Sequence, residues 1–439
     1  MCTGRLKSQQ LRNKYIIPSL TRKAFFIPVL AALTLSTQVQ AEEGSNDLMQ
    51  RDKFTGNWSG SRTSWEEAGA TLEIVYTGEF WRNTNGGLNQ ESEYLDNTDI
   101  ALTLDAEKLW GLDGGTAFFY ILGNGGGDPT DHTGDAQGVS NIAAPDTFKL
   151  YEAWYEQRFD RQNEMALLFG LYDLNSEFDV MPSAGLFIHP SQGIGPDFSQ
   201  AGVNAPSIFP TTSLGLRFKS SIGEQGYAMA AIWDGVPGDP DTPKGTHLKF
   251  DSGDGVLTVI EGGMVIESTV EDDERPNAKL GAGTWRFSEE FDDLSDTDGS
   301  SNPVKRSNNQ GFYLLGEYAV TRESADPAQG LSVFARFGTA NDDINQFAKY
   351  LGYGLVYTGP FAGRDEDQFG LAVATAINGD KYKQLAGAED KETAIELSYR
   401  APITPWLAIQ PDVQYIINPG TDPAVKNALI AGVRIEVTL

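Results

Sequence analysis

A chain of 439 residues is too long for one soluble core of ordinary size, and a single cysteine, Cys2, excludes a disulfide framework and a thiolate metal site. The formal charge of −28, from 61 acidic and 33 basic residues, excludes a nucleic-acid binder. No stretch after residue 41 approaches ~18 consecutive apolar residues, which excludes helical membrane spans there but not barrel strands, whose alternation scores poorly on hydropathy.

The N-terminus reads as an address. Arg12, Lys14, Arg22 and Lys23 precede the apolar run 24–35, and Val39-Gln40-Ala41 offers small or apolar residues at the −3 and −1 positions. This predicts a cleaved secretory signal over 1–41. Its removal takes six Lys/Arg and no Asp/Glu, so the mature charge deepens to about −34 by that count. Most of that charge is expected on solvated loops. Residues 42–69, with Trp58, Arg62 and Trp65, are expected to form a periplasmic tail or short helical plug.

Sixteen strand-like segments follow: 70–81, 94–107, 115–123, 148–159, 163–172, 211–220, 225–234, 255–268, 276–287, 310–321, 329–338, 350–358, 367–377, 391–401, 405–417 and 427–439. Many alternate with period two. Leu331, Val333, Ala335 and Phe337 alternate with Ser332, Phe334 and Arg336, and Ile395, Leu397 and Tyr399 alternate with Glu396, Ser398 and Arg400. The last eleven residues are the clearest case. Leu429, Ala431, Val433, Ile435, Val437 and Leu439 share one face, and the chain stops on it. Short connections (160–162, 221–224, 402–404) interleave with long ones (124–147, 173–210, 235–254, 288–309). That asymmetry predicts an all-β fold: a transmembrane antiparallel barrel over 70–439 with long extracellular loops and short periplasmic turns. An even strand count returns both termini to the periplasm.

Several blocks then carry a family likeness. They are 170–178 (GLYDLNSEF), 193–200 (GIGPDFSQ) followed by 206–210 (PSIFP), 331–336 (LSVFAR), 363–367 (GRDED) before Gly370, and 410–415 (QPDVQY) with Asn418-Pro419-Gly420. As an ordered set over about 51–439, they resemble the OprB-type carbohydrate-selective porins of Gram-negative bacteria. The resemblance implies a sixteen-stranded outer-membrane barrel passing monosaccharides, with extracellular loops folded inward to a charged constriction. The terminal residue departs from the usual aromatic end of such barrels: it is Leu439.

A sugar path needs planar donors and acceptors plus aromatic surface. Strand parity nominates Glu152, Trp154, Glu156 and Arg158 as lumen-facing, with Tyr151, Ala153 and Tyr155 on the opposite face. It also nominates Arg217, Glu317, Arg336, Glu396, Gln410, Asp412, Gln414 and Arg434. The loop 173–210, which begins Asp173, Asn175, Glu177, is the candidate for the inward fold, opposing its carboxylates to Arg217 and Arg336. Ile395, Leu397, Ile409 and Val433 are expected to face lipid. Arg364 is read as stabilising a periplasmic turn. His132, His189 and His247 lie in loop-like surroundings and read as surface groups.

No catalytic motif, cofactor site or metal-ligand cluster is evident. The carboxylate pairs Glu289/Glu290 and Asp365/Asp367 read as solvated loops and turns rather than a glycosidase centre. The expected function is passive, selective diffusion of sugars. The alternatives are a general or cation-preferring pore, and, in a different class, a secreted β-rich carbohydrate-binding protein or glycosidase. Expected partners are small sugars, outer-membrane lipid and the barrel-assembly machinery, with a homotrimer as an option and no nucleic acid.

Overall fold

A strand that alternates apolar and polar residues must hide one face, and in a membrane the backbone of its edges must be paired as well. The chain meets both demands by closing a sheet on itself. The computed structural model describes residues 48–160, 165–268, 275–324 and 326–439. The expected signal over 1–41 lies outside the described residues, as do Arg161 and Gln162 of the expected short connection 160–162.

The first strands are β1 (Ala70–Gly87), β2 (Ser92–Asp105), β3 (Gly115–Gly126), β4 (Thr147–Asp160), β5 (Met165–Tyr172) and β6 (Ser213–Ile222). Next come β7 (Gly226–Asp234), β8 (Val256–Ile266), β9 (Ala278–Phe287), β10 (Phe291–Thr297), β11 (Pro303–Arg306) and β12 (Gln310–Ala319). The last six are β13 (Gly330–Ala340), β14 (Phe347–Thr358), β15 (Gln368–Asn378), β16 (Lys391–Thr404), β17 (Leu407–Ile417) and β18 (Lys426–Thr438). All but β10 and β11 form one closed antiparallel barrel in which β1 pairs with β18 and β9 with β12. The two exceptions make a small hairpin inside the long connection after β9. The barrel therefore contains every expected strand, in the expected order, and it has sixteen.

The terminal strand seals it. Register runs from Val75 opposite Thr438 to Gly87 opposite Lys426. Ile435 on this strand is exposed on the outer wall, together with Phe80, Phe169, Leu216, Leu314, Leu397 and Val413. This apolar exterior is what a hydrocarbon environment requires. Ile395, Ile409 and Val433 share the outward parity, and the residues between them, Glu396 and Gln410, are buried inside.

Residues 48–69 contribute a helix, α1 (Ser61–Ala68), at the short-turn end of the wall. Arg62 on it donates Nη2 to the carbonyl of Leu439 (3.1 Å) and Nη1 to that of Leu72 (3.3 Å). Phe54 N–H reaches the carbonyl of Thr438 (2.8 Å). At the same end, Arg364 Nε holds Asp367 at 2.9 Å and its Nη2 the carbonyl of Pro402 at 3.1 Å, bracing the turn.

Three expectations change. The wall of β4 contains a bulge: Tyr120 pairs with Glu152 but Ile121 with Leu150. The extra residue, Tyr151, turns inward beside Glu152 instead of outward, because one inserted residue resets the period-two count. His132 and His189 are buried rather than superficial, since their loops enter the barrel. For the same reason many acidic side chains are inside: Glu261, Glu317, Glu392, Glu396 and Asp412 are each under 5% exposed.

The two wall faces should respond differently to charge. Val413→Arg, on the outer face in mid-strand, is expected to cost ~2–4 kcal/mol of folding stability in lipid bilayers. Val75→Arg, on the inner face, should cost little. Urea titration of the refolded barrel in vesicles measures both, and equal losses would contradict the assigned faces.

Candidate functional site

A barrel of this strand number leaves an aqueous interior unless something fills it. Here the long connection 173–212 fills one side. Its neck is closed by Leu174 N–H on the carbonyl of Ser207 (2.7 Å), and Ser207 Oγ donates to the carbonyl of Tyr172 (2.7 Å). Between these ends the chain forms a lobe of short turns, Pro182–Leu186, Pro190–Gln192 and Pro196–Ser199. Its apolar side chains, including Phe178, Leu186, Phe187 and Phe198, pack on inward residues of the wall. Phe198 stacks on Trp285 at 5.0 Å and 4°, and Phe187 meets Phe334 at 5.7 Å.

A lobe without long helices or strands leaves backbone N–H groups unpaired, and burial makes each costly. The wall supplies the acceptors. Glu152 takes the N–H of Asp173 (3.2 Å), Glu261 that of Asp179 (2.8 Å), and Glu317 that of Ser183 (2.9 Å). Glu396 takes those of Ile188 (2.6 Å) and His189 (3.2 Å). Donors serve the carbonyls: Lys279 to Val180 (2.6 Å), Gln410 to Leu186 (2.6 Å) and Tyr350 to Ser191 (2.6 Å). The loop between β3 and β4 is held likewise, with Glu392 on the N–H groups of Ala136 (2.8 Å) and Gln137 (3.1 Å) and Gln414 on the carbonyl of Val139 (2.9 Å).

Two arginines clamp the lobe's own carboxylates. Arg336 is 2% exposed. Its Nε and Nη2 engage Asp179 (2.8 and 2.7 Å) and its Nη1 engages Asp197 (2.6 Å). The rings of Tyr313 and Tyr350 lie 5.5 and 5.2 Å from the guanidinium carbon. The fit leaves no space: a Cβ on Gly338 would stand 2.0 Å from Asp197, and one on Gly195 2.3 Å from Arg336. Arg217 binds Glu177 through Nε (2.7 Å) and Glu156 through Nη2 (2.7 Å).

Because the lobe packs against one side, free space remains on the other. A cavity of about 820 Å³ lies between the inner wall near β1–β4 and the lobe. Asn97, Asp99, Tyr120, Tyr151 and Glu152 face it from the wall, Asp173, Asn175 and Ser176 from the lobe, and Arg434 and Glu436 from β18. Tyr120 donates to Asp99 (2.6 Å) and Tyr151 to Asp173 (2.5 Å), so two phenols and two carboxylates form one polar surface. The two rings meet edge to face at 5.0 Å. Arg434 is held by Glu79 (2.5 Å) and by Asn141 (2.5 Å).

Of the residues nominated by parity, Glu152 and Arg434 border this cavity, as do Asp173 and Asn175 from the start of the loop. Arg217, Glu317, Arg336, Glu396, Gln410 and Gln414 lie under the inward loops as their anchors, Glu177 is the lobe's partner for Arg217, and Asp412 is buried beside Gln414 (3.2 Å). Trp154 stacks on Phe118 at 4.9 Å and donates to Glu152 (3.0 Å). Arg158 is exposed beside Glu156 (3.2 Å), away from the cavity. The parity count passed over Asn97, Asp99 and Tyr120, although polar residues two apart in a strand were a usable signal. Tyr151 was lost to the bulge. Among the described residues no cluster of three or more His, Cys, Asp or Glu is arranged to hold a metal ion.

Comparisons with known proteins agree with this architecture. The family described as "Carbohydrate-selective porin, OprB family" matches residues 89–439. Porin B of Pseudomonas aeruginosa is 26% identical over 97% of this chain and 99% of its own length. A putative porin, QuiX, of Acinetobacter baylyi is 21% identical over 95% and 99%. The high-pH structure of Pseudomonas putida OprB superposes with a TM-score of 0.78 at 22% identity, covering 89% of this chain and 99% of that one. Its low-pH structure gives 0.58 at 19% identity.

The anchors rank by burial. Arg336→Ala leaves Asp179 and Asp197 inside without their cation and should cost ~3–5 kcal/mol. Arg336→Lys should recover only part of this, because a lysine cannot form the two-pronged pair. Arg217→Ala should cost less, since Glu156 and Glu177 are 13% and 21% exposed. The temperature at which the folded barrel converts to its unfolded gel band measures all three, and an unaffected Arg336→Ala would contradict the clamp.

Proposed function

We infer that this chain, which belongs to the carbohydrate-selective porin, OprB family, is an outer-membrane channel for the passive, selective diffusion of carbohydrates, with monosaccharides as its permeants. It is a channel rather than an enzyme. The reading rests chiefly on the cavity of about 820 Å³, whose lining suits a sugar. A monosaccharide presents hydroxyls on its edge and C–H groups on its faces. Asp99, Glu152, Asp173 and Asn175 meet the first need with strong acceptors and an amide, and the rings of Tyr120 and Tyr151 meet the second. Passage requires that these contacts be weak enough to release.

In this reading the long loops face outside the cell and the short turns the periplasm. The precursor loses residues 1–41, residues 42–69 sit on the periplasmic side, and barrel-assembly machinery inserts 70–439. A homotrimer is supported by one feature of the outer wall: Tyr76 and Tyr94 hydroxyls gather on Asp96 at 3.1 and 3.2 Å. A carboxylate on a face otherwise turned to lipid is costly unless a neighbouring subunit covers it.

The cavity charges favour a second property of the same pore. Asp99, Glu152 and Asp173 face it, while Glu436 is paired with Arg400 and Arg434 with Glu79. Cations should therefore be preferred at low salt, and the preference should fade as salt screens the carboxylates.

Planar-bilayer recording tests both. Added glucose should reduce the current, and Asp173→Asn and Glu152→Gln should weaken that block by about two- to tenfold. Reversal potentials in a potassium chloride gradient should show cation preference. A sugar block indifferent to both substitutions would contradict the site, and anion preference would contradict the charge argument.

A further inference from the structure

The outer wall carries a second concavity, remote from the channel. At the long-loop end, between β8, β9, β12 and β13, lies a groove of about 730 Å³. Its membrane-ward part is apolar, with Ile260 and Phe312 exposed at 53% and 44%. Its loop-ward part is polar, lined by Arg286, Asn308, Gln310 and Asn341. Arg286 makes only a long contact, Nη2 to the carbonyl of Ser307 at 3.5 Å, and pairs with no carboxylate among the described residues. In a chain with 61 acidic residues against 33 basic ones, an unpaired exterior arginine stands out.

A second cation, Lys349, lies on the same outer face one strand beyond the groove's lining. Thr284, Phe312, Thr339 and Lys349 lie side by side across β9, β12, β13 and β14. Lys349 is exposed on the outer face in the row just below Arg286. Asp380, whose carboxyl feels its charge, is itself paired with Lys383 at 2.9 Å. Three inter-strand steps across and two residues along the wall separate the two cations, about 16 Å between Cα atoms. Their long, flexible side chains can close on a disaccharide carrying a phosphate at each end.

We propose that this groove holds a bisphosphorylated glycolipid of the outer leaflet. One phosphate sits at Arg286 and the other at Lys349, the sugar hydroxyls lie on Asn308, Gln310 and Asn341, and an acyl chain lies along Ile260 and Phe312. The polar-to-apolar gradient runs along the membrane normal, as such a lipid does. A free anion would have no use for the apolar floor, and a protein partner would have no need of the gradient. The assignment rests on the reading above that the long-loop end faces outside.

Folded porin in neutral detergent would be incubated with bisphosphorylated lipid A, its monophosphorylated form and its phosphate-free form. Retained lipid would be counted by native mass spectrometry. Retention should fall in that order, and Arg286→Gln and Lys349→Gln should each weaken the bisphosphorylated lipid about fivefold. Arg286→Lys, which keeps the charge, should retain most of the binding and so separates charge from folding. Single-channel conductance and sugar block should not change in any variant, so an unaltered porin that blocks with sugar but retains none of the three lipids would overturn this site alone. Equal retention of the three lipids, indifference to both substitutions, or full displacement by millimolar inorganic phosphate would each overturn the proposal.

Discussion

The structure depends on how a loop's backbone is satisfied inside a barrel. A lobe of short turns cannot pair its own N–H groups, and an unpaired buried amide costs more than most side-chain contacts return. The wall answers with glutamates from four strands: Glu152, Glu261, Glu317 and Glu396 accept from Asp173, Asp179, Ser183 and Ile188 in turn. Each acceptor is a carboxyl oxygen, and that of Glu396 takes two N–H groups, from Ile188 and His189. The lobe is thus laced to the wall at intervals along its length, and the apolar contacts of Phe178, Phe187 and Phe198 fill the space behind the lacing.

That arrangement makes the lumen asymmetric. The side toward β7–β14 is a packed core, with Trp233, Trp285, Tyr313 and Phe334 pointing inward. The side toward β1–β4 remains open and polar. Arg217 and Arg336 are consumed under the lobe by Glu156, Glu177, Asp179 and Asp197, and the open side is left with carboxylates, phenols and Arg434, itself paired with Glu79. Burial of the clamp and the character of the permeation path are therefore one consequence of where the lobe lies.

Much of the fold was legible because the terminal strand, the alternation around Leu397 and Phe337, and the unequal loops all report on a single constraint, a sheet with lipid on one face. The site was less legible. A glutamate at lumen parity looks the same whether it awaits a sugar or a loop amide, and only the loop's path separates Glu152 from Glu396. Inward aromatics such as Trp285 and Phe334 defy the expectation of a polar lumen, because they face a lobe rather than water. Tyr151 was misassigned by one inserted residue that periodicity cannot register.

The central claim is that permeants pass between the lobe and the wall of β1–β4. Ser176 borders that space from the lobe and is exposed to it. Cys2, the chain's own cysteine, lies within the expected signal. A Ser176→Cys variant treated with a cationic thiol reagent during single-channel recording tests the claim directly. The account predicts a stepwise fall in conductance on modification, slowed when glucose is present. Modification that leaves the conductance unchanged would contradict it.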